Sequence, residues 1–362
     1  MMKQTPRTRL AALLATTALV AAACGTDAVT DTATEAVDDA SETVQNATSG
    51  EDEAASAEEE APAEEEQAPA EEEEPPAEEE APAEEVEEVE EEAGPLFDLE
   101  FAGLEPLGDG FVYEGWVVVD GTPLSTGRFT IAEIDGEREY TAPPVATAEE
   151  AAAATDFVLS IEPAVGDDPA PADAKPLGGT IVDGVAELSI AHPAALGNDF
   201  STASGYAEIA APTTDDPSDD NSGVWFIEIE NRAAVQGLQL PELPAGWIYE
   251  GWAVIDGQPV TTGRFLDPGA VDDFNGFSGT DGTGPPFPGE DFIQNAPEGL
   301  EFPTDLSGST IVVSIEPEID DSPLPFAFKP LAIEVPANTP GMTALQLGAG
   351  PGFPTGTATL AG

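Results

Sequence analysis

The chain has 362 residues, and its 73 acidic side chains against nine basic ones leave a formal net charge of -64 at pH 7. This balance excludes nucleic acid as a partner, because phosphate binding needs clustered cations and the six bases beyond the N-terminus are scattered among acids. Length admits two domains of about 100–200 residues each, and a hydrophobic content of 41% is enough for their cores. The charge divides unevenly: residues 25–94 hold 29 acids and no Lys or Arg, whereas residues 95–362 hold 44 acids and six bases, a net of -38.

Residues 1–9 are basic (Lys3, Arg7, Arg9), and an uncharged run of small and apolar residues then leads to Cys24, the only cysteine. This is a secretory signal pattern. The apolar run of fourteen residues, residues 10–23, reaches roughly 21 Å as a helix, short of a ~30 Å hydrocarbon core. The small residues before the cysteine resemble the lipobox of bacterial lipoproteins, which implies a signal peptide over residues 1–23 and a diacylated Cys24 as the new N-terminus. An ordinary signal peptide leaving a free thiol is the alternative, although a lone cysteine makes no internal disulfide. Gly25 stands where inner-membrane retention would favour Asp, so in a Gram-negative cell the resemblance implies the outer membrane or cell surface.

Residues 24–94 are Ala, Glu, Pro, Asp, Thr and Ser with almost nothing large and apolar, a composition unable to bury a core. Glu triplets repel at helical spacing, and Pro62, Pro69, Pro75, Pro76 and Pro82 interrupt each nascent turn. The segment therefore reads as a disordered, extended tether, able to span about 240 Å at full stretch; a cation-binding tail is the other reading. Val29, Ala33, Val37, Ala40 and Val44 fall at near-helical spacing, enough for one marginal helix after the anchor.

The remainder contains an internal repeat. Tyr113-Glu114-Gly115-Trp116, Asp120-Gly121, Pro123 and Thr126-Gly127-Arg128-Phe129 return 136 residues later as Tyr249-Glu250-Gly251-Trp252, Asp256-Gly257, Pro259 and Thr262-Gly263-Arg264-Phe265. A second block, Ser160-Ile161-Glu162-Pro163 with an Asp pair and Lys175-Pro176-Leu177, returns after 154 residues as Ser314-Ile315-Glu316-Pro317 with its own Asp pair and Lys329-Pro330-Leu331. The second copy thus carries a net insertion of 18 residues, within the Gly/Pro/Phe-rich stretch 267–303. The first block predicts a hairpin through an Asp-Gly turn. The second alternates Phe157, Leu159 and Ile161 with Ser160 and Glu162, which predicts a strand with one dry and one wet face. That parity leaves Trp116 and Trp252 exposed as candidate contact residues; packing against a neighbouring loop or the other unit is the alternative. Further strands are expected near residues 179–182, 186–190, 206–210 and 224–229, and one short helix over 148–154. The whole reads as all-β, as two tandem antiparallel β-sandwich units over 95–235 and 236–362; one pseudo-symmetric barrel built from both repeats is the alternative.

Four of the six bases sit at equivalent positions, Arg128 with Arg264 and Lys175 with Lys329. In an acid-rich chain this predicts that each Arg pairs with a carboxylate of its own copy, Glu114 or Glu162 in the first and Glu250 or Glu316 in the second. An Arg held for an anionic ligand is the functional alternative. The order Tyr-x-x-Trp, Asp-Gly, Pro, Gly-x-Phe and a strand ending in Glu-Pro resembles the extracytoplasmic C-terminal domain of anti-sigma-K-type factors. Tyr113, Trp116, Asp120, Gly121, Gly127 and Glu162 carry the first match, and Tyr249, Trp252, Asp256, Gly257, Gly263 and Glu316 the second. The resemblance implies an outer β module, here duplicated. Those regulators also have a cytoplasmic sigma-binding domain and a transmembrane helix, in whose place this chain has a lipoprotein-like signal, so sigma-factor sequestration is not implied.

His192, the only histidine, precedes Pro193 in an expected loop and has no second ligand or nucleophile pattern beside it. Paired carboxylates serve glycosidases, but 44 acids make pairs commonplace. Oxygen-rich loops suit calcium, and Asp215, Asp216, Asp219, Asp220 and Asn221 form one candidate, with Asp272, Asp273, Asn275 and Asp281 as another; a solvated acidic loop is the bland reading. The sequence as a whole predicts a non-enzymatic envelope lipoprotein, bound to the membrane through its lipid and displaying an interaction or sensing module for a protein or polysaccharide partner. An accessory regulator of an anti-sigma system and a carboxylate-based envelope hydrolase are the competing classes. The acid excess of the body further predicts a salt-adapted, halophilic protein.

Overall fold

The computed structural model describes residues 94–134, 136–319 and 322–362. Cys24, the signal-like segment and the acidic stretch up to residue 93 lie outside the described residues, as do Asp320 and Asp321. In chain order the strands are β1 (Phe97–Ala102), β2 (Phe111–Val119), β3 (Thr122–Ile131), β4 (Arg138–Ala142), β5 (Asp156–Pro163), β6 (Leu177–Val182), β7 (Val185–Leu188), β8 (Ser204–Ile209), β9 (Gly223–Trp225) and β10 (Ile227–Glu230). They continue with β11 (Ala233–Gln236), β12 (Leu238–Gln239), β13 (Trp247–Ile255), β14 (Gln258–Phe265), β15 (Gly289–Asp291), β16 (Thr310–Pro317), β17 (Lys329–Glu334), β18 (Thr343–Gly352) and β19 (Thr355–Leu360). The single described helix, α1 (Ala148–Ala153), opens on a capping box in which Thr147 Oγ accepts the Glu150 N–H and Glu150 accepts that of Thr147, satisfying donors the first turn leaves free.

Every pairing is antiparallel, and two large sheets dominate, one centred on each copy. The first runs β1-β19-β7-β6-β5-β2-β3-β4, the second β14-β13-β16-β17-β18-β8-β9-β15, with β12 alongside β8. The hairpins fold as their Asp-Gly pairs dictate: Asp120 and Gly121 have φ of 51° and 80°, and Asp256 and Gly257 51° and 85°. Two left-handed residues make the turn whose twist matches the flanking strands. Registers repeat between copies: Trp116 faces Val158 as Trp252 faces Val312, and the ladders bulge at Gly115/Trp116 and at Gly251/Trp252. Gly115 and Gly251 are glycines because an added Cβ would lie 2.4 Å and 2.2 Å from the hydroxyls of Thr126 and Thr262. Tyr113 and Phe129 stack at 5.7 Å between ring centres, and Tyr249 and Phe265 repeat the distance.

The two sheets exchange strands. β7 of the first copy pairs with β19, the last strand of the second copy, while β18 of the second pairs with β8, the strand that follows β7 in the first. Ala358 faces Ala186 as Ala207 faces Leu345, so β8 and β19 fill equivalent slots. Their sequences agree, Ser-Gly-Tyr-Ala-Glu-Ile against Thr-Gly-Thr-Ala-Thr-Leu. Each glycine is pressed by its flanking strand: a Cβ on Gly205 would lie 2.6 Å from Leu238 of β12, and one on Gly356 2.7 Å from Phe101 of β1. A boundary between residues 235 and 236 therefore follows the repeat in sequence but divides neither sheet from the other, since β8 and β9 belong to the second and β19 to the first.

One continuous core joins the copies, with Tyr113, Phe129, Phe157, Phe226, Trp247, Tyr249, Phe292 and Phe328 fully buried. Burying each such side chain contributes about 2–3 kcal/mol. Strands β5 and β16 are buried on both faces, not on one as the alternation predicts: Ser160, Glu162, Ser314 and Glu316 are as hidden as the apolar residues between them. The loop 164–176 covers that polar face of β5, with the Ala172 N–H reaching Glu162 at 2.8 Å, and in the second copy the Phe326 N–H does the same to Glu316 at 3.0 Å.

Candidate functional site

Three polar or concave features stand out, and the first is duplicated. In copy one the Trp116 indole N–H donates to Ser160 Oγ at 2.7 Å, and the Ser160 hydroxyl donates onward to Glu162. In copy two Trp252 donates to Ser314 at 2.8 Å and Ser314 to Glu316. Beside each relay a hydroxyl donates to the hairpin Glu at 2.5 Å, Ser125 to Glu114 and Thr261 to Glu250. Arg128 Nε pairs with Glu114 at 3.4 Å and its Nη2 with Asp167 at 3.4 Å, while also donating to the Pro163 carbonyl. Arg264 donates to the Glu318 carbonyl at 3.1 Å; the counterpart of Asp167, Asp321, lies outside the described residues. Lys175 and Lys329 donate to loop carbonyls, of Ala172 at 2.5 Å and of Pro325 at 3.0 Å. Burial pushes Glu162 up to about 7, against the pull of Ser160 and the Ala172 N–H, with Asp167 and Glu114 pushing the same way. Glu114 is raised by burial too, with Ser125 and Arg128 opposing. A carboxylic acid kept neutral by burial accepts and donates hydrogen bonds without the desolvation cost of an ion, and the relays act as staples between strands and covering loop.

The second feature belongs to the insertion of copy two. Between β14 and β16 the chain forms its own aromatic cluster, Phe274–Phe277 at 4.9 Å and Phe277–Phe302 and Phe292–Phe302 each at 5.5 Å. Carboxylates pin it: Asp272 accepts the Gly289 N–H at 2.8 Å and the Phe274 N–H at 3.2 Å, and Asp273 accepts that of Arg264 at 2.7 Å. Asp291 accepts the Trp225 indole N–H at 2.7 Å, and the Thr213 N–H at 2.7 Å and hydroxyl at 2.5 Å. Ser278 donates to Glu290, whose Oε2 is buried without a hydrogen-bond partner. Burial raises Asp272 and Glu290 to about 7 each, and raises Asp291 as well. A cavity of about 430 Å³ opens between these groups, walled by Phe274, Phe287 and Trp225.

The third feature is a larger cavity of about 570 Å³ at the seam between copies, lined by residues 105–111 of the first and 322–326 of the second. Ile134, Ile319 and Leu324 line it and remain about half exposed. Its base is held by Glu105, which accepts the Ala327 N–H at 2.8 Å across the seam.

The remaining sequence expectations fall out as follows. Trp116 and Trp252 are not the exposed contact residues that strand parity suggests: they are 3% and 2% exposed, because the loop over the Ser/Glu face encloses them. Asp120, Gly121, Asp256 and Gly257 form turns, Gly127 and Gly263 the left-handed positions at φ 111° and 118° beside each bulge, and the Tyr113 and Tyr249 hydroxyls donate at 2.7 Å to the carbonyls of Glu105 and Pro241. The Asp215–Asn221 loop does not converge on an ion: Asp215 and Asp216 point to solvent, and Asp216 is spent on the Ser218 N–H and hydroxyl at 2.9 and 2.7 Å. Among the described residues no three His, Cys, Asp or Glu side chains gather as metal ligands would. His192 Nε2 lies 3.2 Å from Asp156, tying the β7–β8 connection to β5. Sequence reasoning missed Ser278, Glu290 and Asp291, toward which only the insertion stretch 267–303 pointed, and gave Trp225 no more than a place in the strand expected over 224–229. No helix of the described residues is long and apolar enough to cross a membrane. No known protein family, no curated protein and no solved structure matches the chain.

Proposed function

We propose that the protein is a non-enzymatic, lipid-anchored component of the cell envelope that holds its β body away from the membrane as an interaction or sensing module. The lipobox-like approach to Cys24 and the 29 acids of residues 25–94 support the anchor and the spacer. The observation that carries the binding role is the seam cavity, where Ile134, Ile319 and Leu324 line a recess of about 570 Å³ while the duplicated Trp–Ser–Glu relays face inward. Mostly apolar recesses of this size with a few polar groups are the usual form of a ligand site. A carboxylate hydrolase would need its acid and base free to reach substrate; Asp272 is held by two backbone N–H groups and Glu290 is fully buried behind Ser278, which favours binding over turnover.

Cell fractionation tests the anchor. The wild-type chain is expected in the membrane fraction and labelled by fatty acid, and Cys24→Ala in neither state. A wild-type chain recovered soluble and unlabelled would overturn the reading.

A further inference from the structure

We propose that the 430 Å³ cavity in the insertion of the second copy is a binding site for a compact organic cation, an alkylammonium group of the tetramethylammonium or choline kind. This cavity is separate from the seam recess described above and shares no lining residue with it. Phe274, Phe287 and the Trp225 indole supply aromatic surface, and the ionisable side chains in the lining, Asp272 and Asp273, are both acids. Aromatic faces attract ammonium groups through their quadrupole, most strongly when water is excluded. Carboxylates add a charge term that repels any anionic ligand and is larger in a partly buried recess than in water.

The neighbourhood leaves that negative charge without a cationic partner. Of the titratable groups, Asp272 faces Asp273 and Glu290, and Glu290 faces Asp272, while Asp291 meets Glu290 through its backbone N–H and turns its carboxylate to Thr213 and Trp225. Arg264 reaches this region with its backbone N–H, donated to Asp273, and sends its guanidinium to the Glu318 carbonyl instead. One hydrogen bond beyond the wall, behind Ser278, Glu290 Oε2 is fully buried and has no hydrogen-bond partner. Burial places Asp272 and Glu290 at about 7 in the free protein, so a cation in the cavity would favour their ionised forms and displace protons as it binds. A neutral sugar would exploit the same hydroxyl and amide groups but would displace none. The cavity is also specific to the second copy: the first joins β3 to β5 through residues 132–155, with β4 and α1, and lacks the insertion.

The test is a titration of the purified full chain near neutral pH with tetramethylammonium chloride and with choline chloride, against equal additions of sodium chloride and against glucose. Tryptophan fluorescence and the indole N–H resonance of Trp225 report occupancy. The expected result is a saturable response to both ammonium salts and none to sodium chloride or glucose, with proton release on binding and affinity that rises severalfold from pH 6 to pH 8. Phe287→Ala should weaken binding about tenfold while Phe287→Tyr retains it. If Phe287→Ala fails to fold, Asp273→Asn serves, with a loss of about threefold or more expected for a charge at the rim. An absent response, a response shared by sodium chloride, a response to glucose alone, or unchanged affinity in the folded variants overturns the cation site. That failure is separate from failure of the anchoring role, which the fractionation of Cys24→Ala reads on its own.

Discussion

The two copies agree most closely where they are most buried and part company at their connections. Hairpin turns, bulges, the Tyr–Phe stack and the Trp–Ser–Glu relay recur with distances equal to within about a tenth of an ångström. The loops differ: the link from β14 to β16 carries the extra 18 residues with their aromatic cluster, and β7 reaches β8 through residues 189–203 whereas β18 reaches β19 through only Phe353 and Pro354. The contrast teaches that in this fold the polar relay is as much part of the core as the aromatic rings. A buried donor or acceptor cannot be altered without leaving its partner unpaired, whereas a loop on the surface can grow at little entropic cost. The elaborated loop is accordingly where new chemistry has room to appear.

The largest expected effect breaks the comparison outright. A chain ending at Pro354 lacks β19, so β1 and β7 each lose the neighbour that joins them, and cooperative unfolding of the first sheet should disappear in circular dichroism while strands β13 to β18 retain their own pairings. If the truncated chain melts like the intact one, the strand exchange has no energetic weight. Next come Ser160→Ala and Ser314→Ala, each leaving an indole N–H and a carboxyl group unpaired in the core; a loss of about 2–3 kcal/mol apiece is expected in urea denaturation. Equal losses would sharpen the equivalence of the two relays, and a difference above about 1.5 kcal/mol would break it. Arg128→Met should cost about 1–2 kcal/mol, since its ion pairs with Glu114 and Asp167 are largely shielded from solvent and losing the Arg leaves two carboxylates unpaired by charge; a melting temperature left unchanged would mean that Arg128 is held for something other than stability.

The pH response follows from the direction of the shifts. Glu162, Asp272 and Glu290 are raised to about 7 in the folded chain, above the ordinary values of about 4.3 for Glu and about 3.9 for Asp. Their protonation therefore contributes stability that is fully present below about pH 4 and lost as pH rises through about 7. The melting temperature should fall by several degrees between about pH 5 and pH 8. Glu290→Gln should flatten part of this fall, which contrasts the insertion with the relay of copy one; a melting temperature that rises over the same interval would contradict the burial argument. Smallest, the net of -38 over residues 95–362 should lower the melting temperature by a few degrees as salt is reduced from about 2 M to 0.05 M. A flat profile would mean the acids are spaced widely enough not to repel.

Much of this was legible in the sequence. The offsets of 136 and 154 located the hairpins and the paired strands, Asp120-Gly121 and Asp256-Gly257 announced their turns, and the alanine cluster over 148–154 announced one short helix. The scarcity of bases narrowed the partner of Arg128 to Glu114 or Glu162, and the structure takes Glu114. Strand alternation misled at Trp116, Ser160 and Glu162, because polar residues at every second position signal a wet face only when nothing covers it, and the covering loop 164–176 is itself polar and Pro-rich. The strand exchange was invisible for a different reason. Ser204 to Ile209 and Thr355 to Leu360 are too short and too common in composition to stand out as a repeat, and nothing in a strand's own residues says which of two equivalent edges it will fill. Asp272 stood out only as one acid of a candidate calcium loop, and Glu290 was hidden among 44 acids until burial distinguished it.

The pairing of β1 with β19 sets an order of events in time. A chain made and delivered from its amino end presents Phe97–Ala102 early, yet the strand on which these residues dock lies within the last eight of the sequence. The first sheet can close only after Thr355–Leu360 has been made, so it depends on contacts of very long sequence separation, and topology of this kind slows folding. Until β19 docks, β1 and β7 are open edges, exposed to aggregation and proteolysis. Damage to β19 would thus be felt at β1, at the opposite end of the folded body.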